Sequence, residues 1–307
     1  MNFDYKTELK KIATLNSPII ISSGTFGTSG AYLDLIKNQN IGAVVTKTIT
    51  LEAKSGNPQP RIFEGKNFIV NSIGLENNGV YDFVINFDKN YKNIPFPIIV
   101  SISGNDESEY VKIIKKINEL NSPVAVELNL SCPNVDSEGL ASAMNLKSFG
   151  KTVFNCSQVS KFPIITKLSP FQCINTMYAE TAEKNGTTAI SLINTVPAMV
   201  IDTENMSPFL GNTVGGMSGP AIKPIALKMV HEIYKSVTVP IIGMGGISNY
   251  RDALDFLMVG ATAVSIGTMN LVDPELPNKI LKNIDNFLTK KNIHDFDELK
   301  KRFQKNL

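Results

Sequence analysis

The segment 124–134 carries the residue types best suited to chemistry. Its sequence is Val-Ala-Val-Glu-Leu-Asn-Leu-Ser-Cys-Pro-Asn, so Glu127, Asn129 and Ser131 alternate with apolar residues. In a strand, alternation puts these three polar side chains on one face, where they need partners inside the protein or a ligand. The proline after Cys132 ends the strand and leaves the thiol in the following loop. Most free cysteines are inert and buried, but this strand-end position beside amide side chains indicates a reactive thiol.

Two lysines, Lys47 and Lys167, each end an otherwise apolar run. An ammonium group in such a place loses hydration, so it either gives up its proton or faces an anion. A single lysine more often reaches out to solvent. Two lysines at equivalent positions therefore indicate an anionic ligand.

Glycines follow the last two apolar runs, in Gly243-Met-Gly-Gly-Ile-Ser248 and in Gly267-Thr268. Glycine lets backbone N–H groups approach a phosphate, and the loops after strands seven and eight of a barrel commonly hold one. A single glycine pair would fit an ordinary turn equally well. Two pairs in the two expected loops predict a ligand that carries phosphate.

Eight short apolar runs position all of these residues. They cover residues 19–22, 43–46, 98–103, 124–130, 164–168, 189–193, 240–243 and 263–266. Segments with one apolar helical face separate them, which is typical of a parallel sheet, and eight such strands close a barrel. The sequence therefore predicts an α/β fold, a (β/α)8 TIM barrel, as a single domain over residues 1–307. A small N-terminal cap should precede Ile19, and a closing helix with a polar tail should follow Asn270.

Two predicted loops at the carboxyl ends of the strands are notable. The connection between the second and third runs is unusually long and includes residues 56–61 and 71–75, and loops of that length are usually functional. The segment 133–144 fits either a lid over Cys132 or a plain surface loop.

Composition excludes several classes of protein. Of the 307 residues 43% are hydrophobic, and 30 basic against 28 acidic side chains give a net charge of +2, too weak a field to indicate nucleic acid or a membrane surface as partner. Three dispersed cysteines predict no disulfide framework, zinc site or iron-sulfur cluster on this chain. No run approaches membrane-spanning length and the start has no apolar signal core, so we expect a cytoplasmic protein.

The motifs in their order along the chain resemble the dihydroorotate dehydrogenases, flavin barrels of pyrimidine biosynthesis, and within them the NAD-linked subgroup B of class 1. Besides the segments above, the resemblance rests on Asn71-Ser-Ile-Gly-Leu75, Ser191-Leu-Ile-Asn-Thr195 and the segment 215–224, and it extends from Pro18 to Pro274. It implies oxidation of dihydroorotate to orotate in UMP biosynthesis, with Cys132 as the catalytic base that takes the proton from carbon 5. The hydride at carbon 6 would leave for FMN.

The same resemblance implies the other site residues. FMN would be held by Ser23, Lys47, Thr48, Ser101, Asn129, Lys167, Ile193, Gly219, Gly245, Gly246, Gly267 and Thr268. The substrate would lie against Lys47, Asn71, Ser72, Ile73, Gly74, Leu75, Asn129, Asn194 and Thr195. Lys167 beside the isoalloxazine would stabilise negative charge, and the amide side chains suit a ring that displays amide and carboxylate groups.

A few positions depart from the family pattern. Asn78 stands where proline is common, Phe171-Gln172 replaces a common Asn-Val, and Ser101 is a conservative occupant of a variable position on the flavin side. None of these changes removes a catalytic group. They affect the expected geometry of loops, not the expected reaction.

The chain also lacks an evident site for NAD. The best match to a dinucleotide fingerprint, residues 243–248, has serine at the third glycine position and is already assigned to phosphate. The resemblance implies instead a homodimer joined by two electron-transfer subunits, each with FAD and a 2Fe-2S cluster, that pass electrons to NAD.

Three alternatives remain open at this point. The first is the same oxidation by a self-sufficient homodimer that reduces fumarate. The second is a flavin barrel that reduces uridine in transfer RNA, which the near-neutral charge disfavours. The third is a non-catalytic barrel that binds a phosphorylated ligand, which would leave Cys132, Lys47 and Lys167 unexplained.

Overall fold

Eight parallel strands close into a barrel in the computed structural model, which describes residues 4–26, 34–130 and 145–307. The strands are Ile19–Ile21, Ala43–Val45, Ile98–Ile102, Pro123–Asn129, Ile164–Leu168, Ala189–Leu192, Ile241–Met244 and Ala263–Ile266. Each pairs with the next along the chain, and the eighth pairs with the first. The predicted TIM barrel is confirmed, with every strand end within one residue of its predicted place.

The barrel interior has two layers of opposite character. The lower layer is apolar and consists of Ile99, Ala125, Ile165, Ala189 and Ala263, which belong to one buried cluster. The upper layer contains the residues two positions further along the same strands, which are Ser101, Glu127, Lys167, Ser191 and Ser265, all of them buried. Two residues along a strand return to the same face, so both layers point inward.

A hairpin at the N-terminus closes the lower end of the barrel. Its strands, Thr7–Leu9 and Ala13–Leu15, pair antiparallel. Leu9 and Leu15 are fully buried in the same cluster as the lower layer. This hairpin is the N-terminal cap that the sequence predicted.

Helices cover the outside of the barrel. Those between strands are Gly79–Ile85, Phe87–Tyr91, Glu107–Ile117, Leu146–Val159, Met177–Lys184, Lys223–Tyr234 and Tyr250–Met258, and those after the last strand are Thr268–Val272, Leu276–Lys291 and Phe296–Gln304. Glu107–Ile117 buries the apolar face formed by Tyr110, Ile113, Ile114 and Ile117, and Asp106 caps it by accepting from the backbone N–H of Glu109. None of the described helices combines the length and apolarity needed to cross a membrane.

A four-stranded antiparallel sheet, absent from the sequence-based prediction, is built from loops at the carboxyl ends of the strands. Its strands are, in spatial order, Val196–Ala198, Gly215–Ser218, Phe68–Asn71 and Ile62–Gly65. It joins the long connection after the second barrel strand to the segment after the sixth, with Asn71 opposite Gly216. The connection predicted as a long loop is therefore partly a hairpin of this sheet and partly two short helices.

Candidate active site

A chain of hydroxyl groups runs across the carboxyl ends of the first three strands. The Ser23 and Thr48 hydroxyl oxygens lie 3.1 Å apart, and Thr48 and Ser101 lie 3.0 Å apart. Ser101 in turn donates to Glu127 Oε1 at 3.2 Å, and Ser191 donates to Glu127 Oε2 at 2.9 Å. These hydrogen bonds hold the buried Glu127 carboxylate in the upper layer and connect the carboxyl ends of five strands.

Two asparagines extend this network towards the small sheet. Asn129 Nδ2 donates to Thr48 Oγ1 at 3.5 Å, and Asn194 Nδ2 donates to Asn129 Oδ1 at 3.0 Å. Asn194 Oδ1 accepts from the backbone N–H of Thr195 at 2.7 Å. Gly216 packs against Thr195 so closely that a side-chain carbon there would lie 2.0 Å from the Thr195 hydroxyl. Glycine at 216 therefore lets the small sheet lie directly over these residues.

Lys167 is the buried cation of this site. It is only 7% exposed, and in the strand ladder it lies between Asn129 and Ser191. Among the described residues, no side chain forms an ion pair or a hydrogen bond with its ammonium group. Burying an ammonium without a partner is costly, so this arrangement fits an anionic ligand. Lys47, just past the second strand, is half-buried.

Three glycines form a cradle beside the sixth and seventh strands. Gly219, Gly245 and Gly246 have φ angles of +95°, +127° and +76°, which other residues rarely adopt. A side-chain carbon on Gly246 would lie 2.9 Å from the backbone nitrogen of Lys223 and 3.0 Å from the carbonyl oxygen of Gly219. The two loops are therefore packed backbone against backbone, the type of surface that binds phosphate.

An ion pair fixes these two loops to each other. Lys223 donates to Asp252 Oδ1 at 2.6 Å, while Asp252 Oδ2 accepts from the Ser248 backbone N–H at 2.8 Å and from its hydroxyl at 2.6 Å. Burial alone would raise the pKa of Asp252, but the hydrogen bonds from Lys223 and Ser248 outweigh it and hold that pKa below its ordinary value. Asp252 also completes a capping box with Asn249 at the start of the helix Tyr250–Met258.

The third glycine loop, after the eighth strand, also makes contact here. Thr268 donates from its hydroxyl to that of Ser218 at 2.8 Å, next to Gly219. A side-chain carbon on Gly267 would meet only Ser22, at 3.7 Å. Ile193 is buried and its backbone N–H donates to the Met244 carbonyl at 3.1 Å.

The segment 71–75 is held rigidly beside the network. Asn71 donates from its amide to the Gly216 carbonyl at 3.3 Å, and Arg61 anchors the loop through Glu76 at 2.6 Å. Gly74 and Leu75 both have positive φ. The Ser72 hydroxyl is buried and has no hydrogen-bond partner among the residues that the structure describes. Because buried hydroxyls normally have partners, an unpartnered one favours a ligand group at this place.

Two of the three cysteines lie in the part of the chain that the structure describes. Cys132 lies outside the described residues, as does the predicted lid 133–144. Burial raises the pKa of the Cys156 thiol to about 12, and burial also raises the pKa of Cys173. Neither of these two thiols ionises near neutral pH, so neither is a base.

The sequence-based prediction named most of the residues that the structure brings together here, but it omitted four supporting residues. The predicted residues on the first four strand ends and on the sixth contact one another directly. It did not assign Ser191, Arg61, Lys223 or Asp252. Ser191 was detectable, because alternation along the sixth strand puts it inward. The other three depend on contacts between distant loops and have no local signal.

Comparisons with known proteins agree with this geometry. A family model described as dihydroorotate dehydrogenase matches residues 6–288. A protein of Caldicellulosiruptor saccharolyticus named dihydroorotate dehydrogenase B (NAD(+)), catalytic subunit, is 43% identical over 285 residues, which cover 93% of this chain and 94% of that protein. A protein of the same name from Desulforamulus reducens is 38% identical over 299 residues, which cover 97% of this chain and 98% of that protein. Another, from Brachyspira hyodysenteriae, is 43% identical over 286 residues, which cover 93% of this chain and 94% of that protein.

The chain belongs to the dihydroorotate dehydrogenase family. Membership confirms the resemblance stated from the sequence and the expected class of FMN-dependent oxidoreductase. The relatives are named for NAD, which does not favour the fumarate alternative. The comparisons also give no support to a flavin barrel that reduces transfer RNA or to a non-catalytic barrel.

Proposed function

We propose that this chain oxidises dihydroorotate to orotate in pyrimidine biosynthesis, at a site formed by the upper layer of the barrel and the loops above it. The observation that carries the proposal is Lys167, a residue only 7% exposed whose ammonium group has no partner among the described residues, and which pairs with Asn129 in the strand ladder. An anionic ligand would supply the missing partner.

The described residues fit FMN in two respects. The cradle of Gly219, Gly245 and Gly246, with Gly267 and Thr268 beside it, offers backbone N–H groups and close approach to a phosphate. Lys167 offers a fixed positive charge for the electron-accepting ring. The remaining residues that we assign to FMN are Ser23, Lys47, Thr48, Ser101, Asn129 and Ile193.

The substrate is assigned to the side of the network that faces the segment 71–75. Its amide and carboxylate groups suit Asn71, Asn129 and Asn194, since a carboxamide both donates and accepts. The unpartnered Ser72 hydroxyl is a further donor or acceptor at this place. Lys47, Ile73, Gly74, Leu75 and Thr195 complete the assigned set.

Each group then has one task. FMN held by the residues assigned above would supply the acceptor for the hydride at carbon 6 of dihydroorotate. Cys132 takes the proton from carbon 5 as a thiolate. Lys167 holds positive charge where negative charge develops, and the asparagines orient the substrate ring so that both transfers are in reach.

Replacing Cys132 with alanine tests the base. We expect Cys132→Ala to keep its FMN but to lose reduction of that FMN by dihydroorotate, followed in a stopped-flow spectrometer. Cys156→Ala is the matched control, since its thiol is buried and its pKa is raised to about 12. It should reduce FMN at the wild-type rate. Wild-type reduction by Cys132→Ala would show that this thiol is structural.

The electron acceptor forms the second part of the proposal. The relatives' shared name, catalytic subunit, supports a separate electron-transfer subunit. We infer that this subunit carries FAD and a 2Fe-2S cluster, that two copies of each chain assemble, and that the assembly works in the cytoplasm. Reduction of NAD should then require the partner.

Steady-state assays of the chain with and without the partner test this inference. The isolated chain should oxidise dihydroorotate with artificial acceptors and reduce NAD only when the partner is added. Efficient turnover of fumarate by the isolated chain, with no gain from the partner, would contradict it and favour the self-sufficient homodimer.

A further inference from the structure

Gln172 is a buried side chain at a position where the sequence departs from the family pattern. It is 1% exposed and lies in the short 3₁₀ turn Phe171–Cys173, just after the fifth strand. The mechanism above gives it no task. A long amide side chain is rarely buried to this extent, so its hydrogen bonds should show what it does.

Both ends of the Gln172 amide bond to backbone groups. Its Oε1 accepts from the backbone N–H of Ser169 at 2.7 Å, and its Nε2 donates to the backbone carbonyl of Leu130 at 3.3 Å. A backbone N–H can only donate and a carbonyl can only accept, so these two contacts fix the orientation of the amide. The side chain therefore links the chain just past the fifth strand to the chain just past the fourth.

This link begins where the pairing of the two strands stops. Their last paired residues are Asn129 and Lys167. At the next residue the Leu130 N–H turns back to the Leu128 carbonyl, at 3.1 Å, and no longer bonds across the sheet. Among the described residues, no group other than Gln172 donates to the Leu130 carbonyl. The backbone of Leu130 is therefore held on one side by its own turn and on the other by this amide.

The position of Leu130 bears on the base, because Cys132 follows it by two residues. Two residues span at most about 7 Å, so the place of Leu130 limits where the thiol can lie. We propose that Gln172 is a positioning residue for the base, which it serves by fixing the point at which the chain leaves the fourth strand. The inference rests on the proposed function. Gln172 acts only through Leu130.

Gln172→Met tests the link itself, because methionine keeps the length of the side chain but has no amide. The buried Leu130 carbonyl then loses its donor, and the turn at Leu130 should open more often. Hydrogen exchange of the apoprotein, followed by mass spectrometry on a peptide that contains the Leu130 N–H, measures this opening. Exchange should be about tenfold faster than in the wild type, the scale of one lost hydrogen bond.

The same variant should also reduce FMN more slowly. At saturating dihydroorotate the rate should fall about tenfold, since a misplacement of 1 Å can cost about a hundredfold. The dissociation constant of orotate, measured from the flavin spectrum, should stay within about twofold, because the residues assigned to the substrate are unchanged. A purely structural role would lower the thermal midpoint without this separation of rate from affinity.

Two further variants complete the test. Gln172→Val introduces the residue that is common at this position in the family, and it should give the same faster exchange and slower reduction if Gln172→Met does not fold. Ser169→Ala is the matched control. It removes the hydroxyl that accepts from the Gln172 backbone N–H at 3.4 Å and leaves the bond to Leu130 intact, so exchange and rate should be those of the wild type.

The outcomes separate this inference from the proposed function. Wild-type exchange at Leu130 in the variants without the amide, or faster exchange with a wild-type rate of FMN reduction, would overturn the role of Gln172. Equal losses in Ser169→Ala would overturn it as well. If the wild-type protein did not oxidise dihydroorotate, the proposed function would fail instead. The exchange of the apoprotein would then still decide whether Gln172 holds Leu130.

Discussion

The two layers of the barrel interior share strands, faces and burial but differ in what they contain. The lower layer is aliphatic and packs with Leu9 and Leu15 of the N-terminal hairpin. The upper layer, one pleat higher, holds two charged groups and three hydroxyls, all of them buried. Burial of the aliphatic side chains stabilises the fold, whereas burial of the charged and hydroxyl groups destabilises it. The loss of stability in the upper layer therefore needs a functional explanation.

Ile165 and Lys167 show the difference on a single strand. They lie two residues apart on the same face of Ile164–Leu168, and both are buried. If this difference between the layers holds, removing the Ile165 side chain should lower the stability of the fold, and removing the Lys167 ammonium group should slow the reaction. The following predictions test this, from the largest expected effect to the smallest.

Lys167→Met should slow reduction of FMN by dihydroorotate about a thousandfold, or about 4 kcal/mol of transition-state stabilisation, because the positive charge is lost while the length of the side chain is kept. The thermal midpoint of the apoprotein should be unchanged or higher, since the variant removes an ammonium group that has no partner among the described residues. Stopped-flow reduction at saturating FMN and differential scanning calorimetry measure the two effects. An unchanged rate would place Lys167 with the structural residues.

Ile165→Ala should lower the free energy of unfolding by about 3 kcal/mol, because it deletes a fully buried side chain and leaves a cavity. Urea denaturation measures this loss. The rate of FMN reduction per folded molecule should be that of the wild type. A selective loss of rate with normal stability would contradict the division between layers.

Asp252→Asn tests whether the loops around the glycine cradle contribute to the stability of the fold, as the lower layer does. At pH 7 it should lower the free energy of unfolding by about 2 kcal/mol, through the hydrogen bonds from Lys223 and Ser248. The folded-state pKa of Asp252 is depressed, so its contribution is present above the unfolded pKa of about 3.9 and is lost as pH falls through the folded value. The difference from wild type should therefore shrink at acid pH.

Asp255→Asn is the control for that variant. Asp255 also accepts from Lys223, at 3.1 Å, but its side chain is 35% exposed. Its loss should cost less than that of Asp252 at pH 7, as measured by urea denaturation. If both variants lost the same free energy of unfolding, the deeper burial of Asp252 would add nothing to stability.

Ser265→Ala should have the smallest effect, a loss of about 1 kcal/mol in the free energy of unfolding. The Ser265 hydroxyl lies 2.7 Å from that of Ser22, and its removal leaves the other hydroxyl without this partner. FMN reduction should proceed at the wild-type rate, as measured by stopped flow. A large loss of rate would extend the functional part of the upper layer to the eighth strand.

Local sequence patterns predicted the fold well because they are periodic. Alternation in the segment 124–130 set Glu127 and Asn129 on the inner face, and the structure has them there. Polar residues after each apolar run identified the carboxyl ends of the strands. The pairing order also followed, since consecutive βα units are neighbours in a barrel.

The sequence by itself determined the barrel, the direction of its strands and the polar character of their carboxyl ends, because each depends on residues within a few positions of one another. Only the tertiary structure decided which distant groups meet. The pairing of Asn71 with Gly216, the ion pair of Lys223 with Asp252 and the direction of the hydrogen bonds around Glu127 all join separate segments. Such contacts leave no local periodicity, because they arise only when the closed barrel brings its loops together at one end.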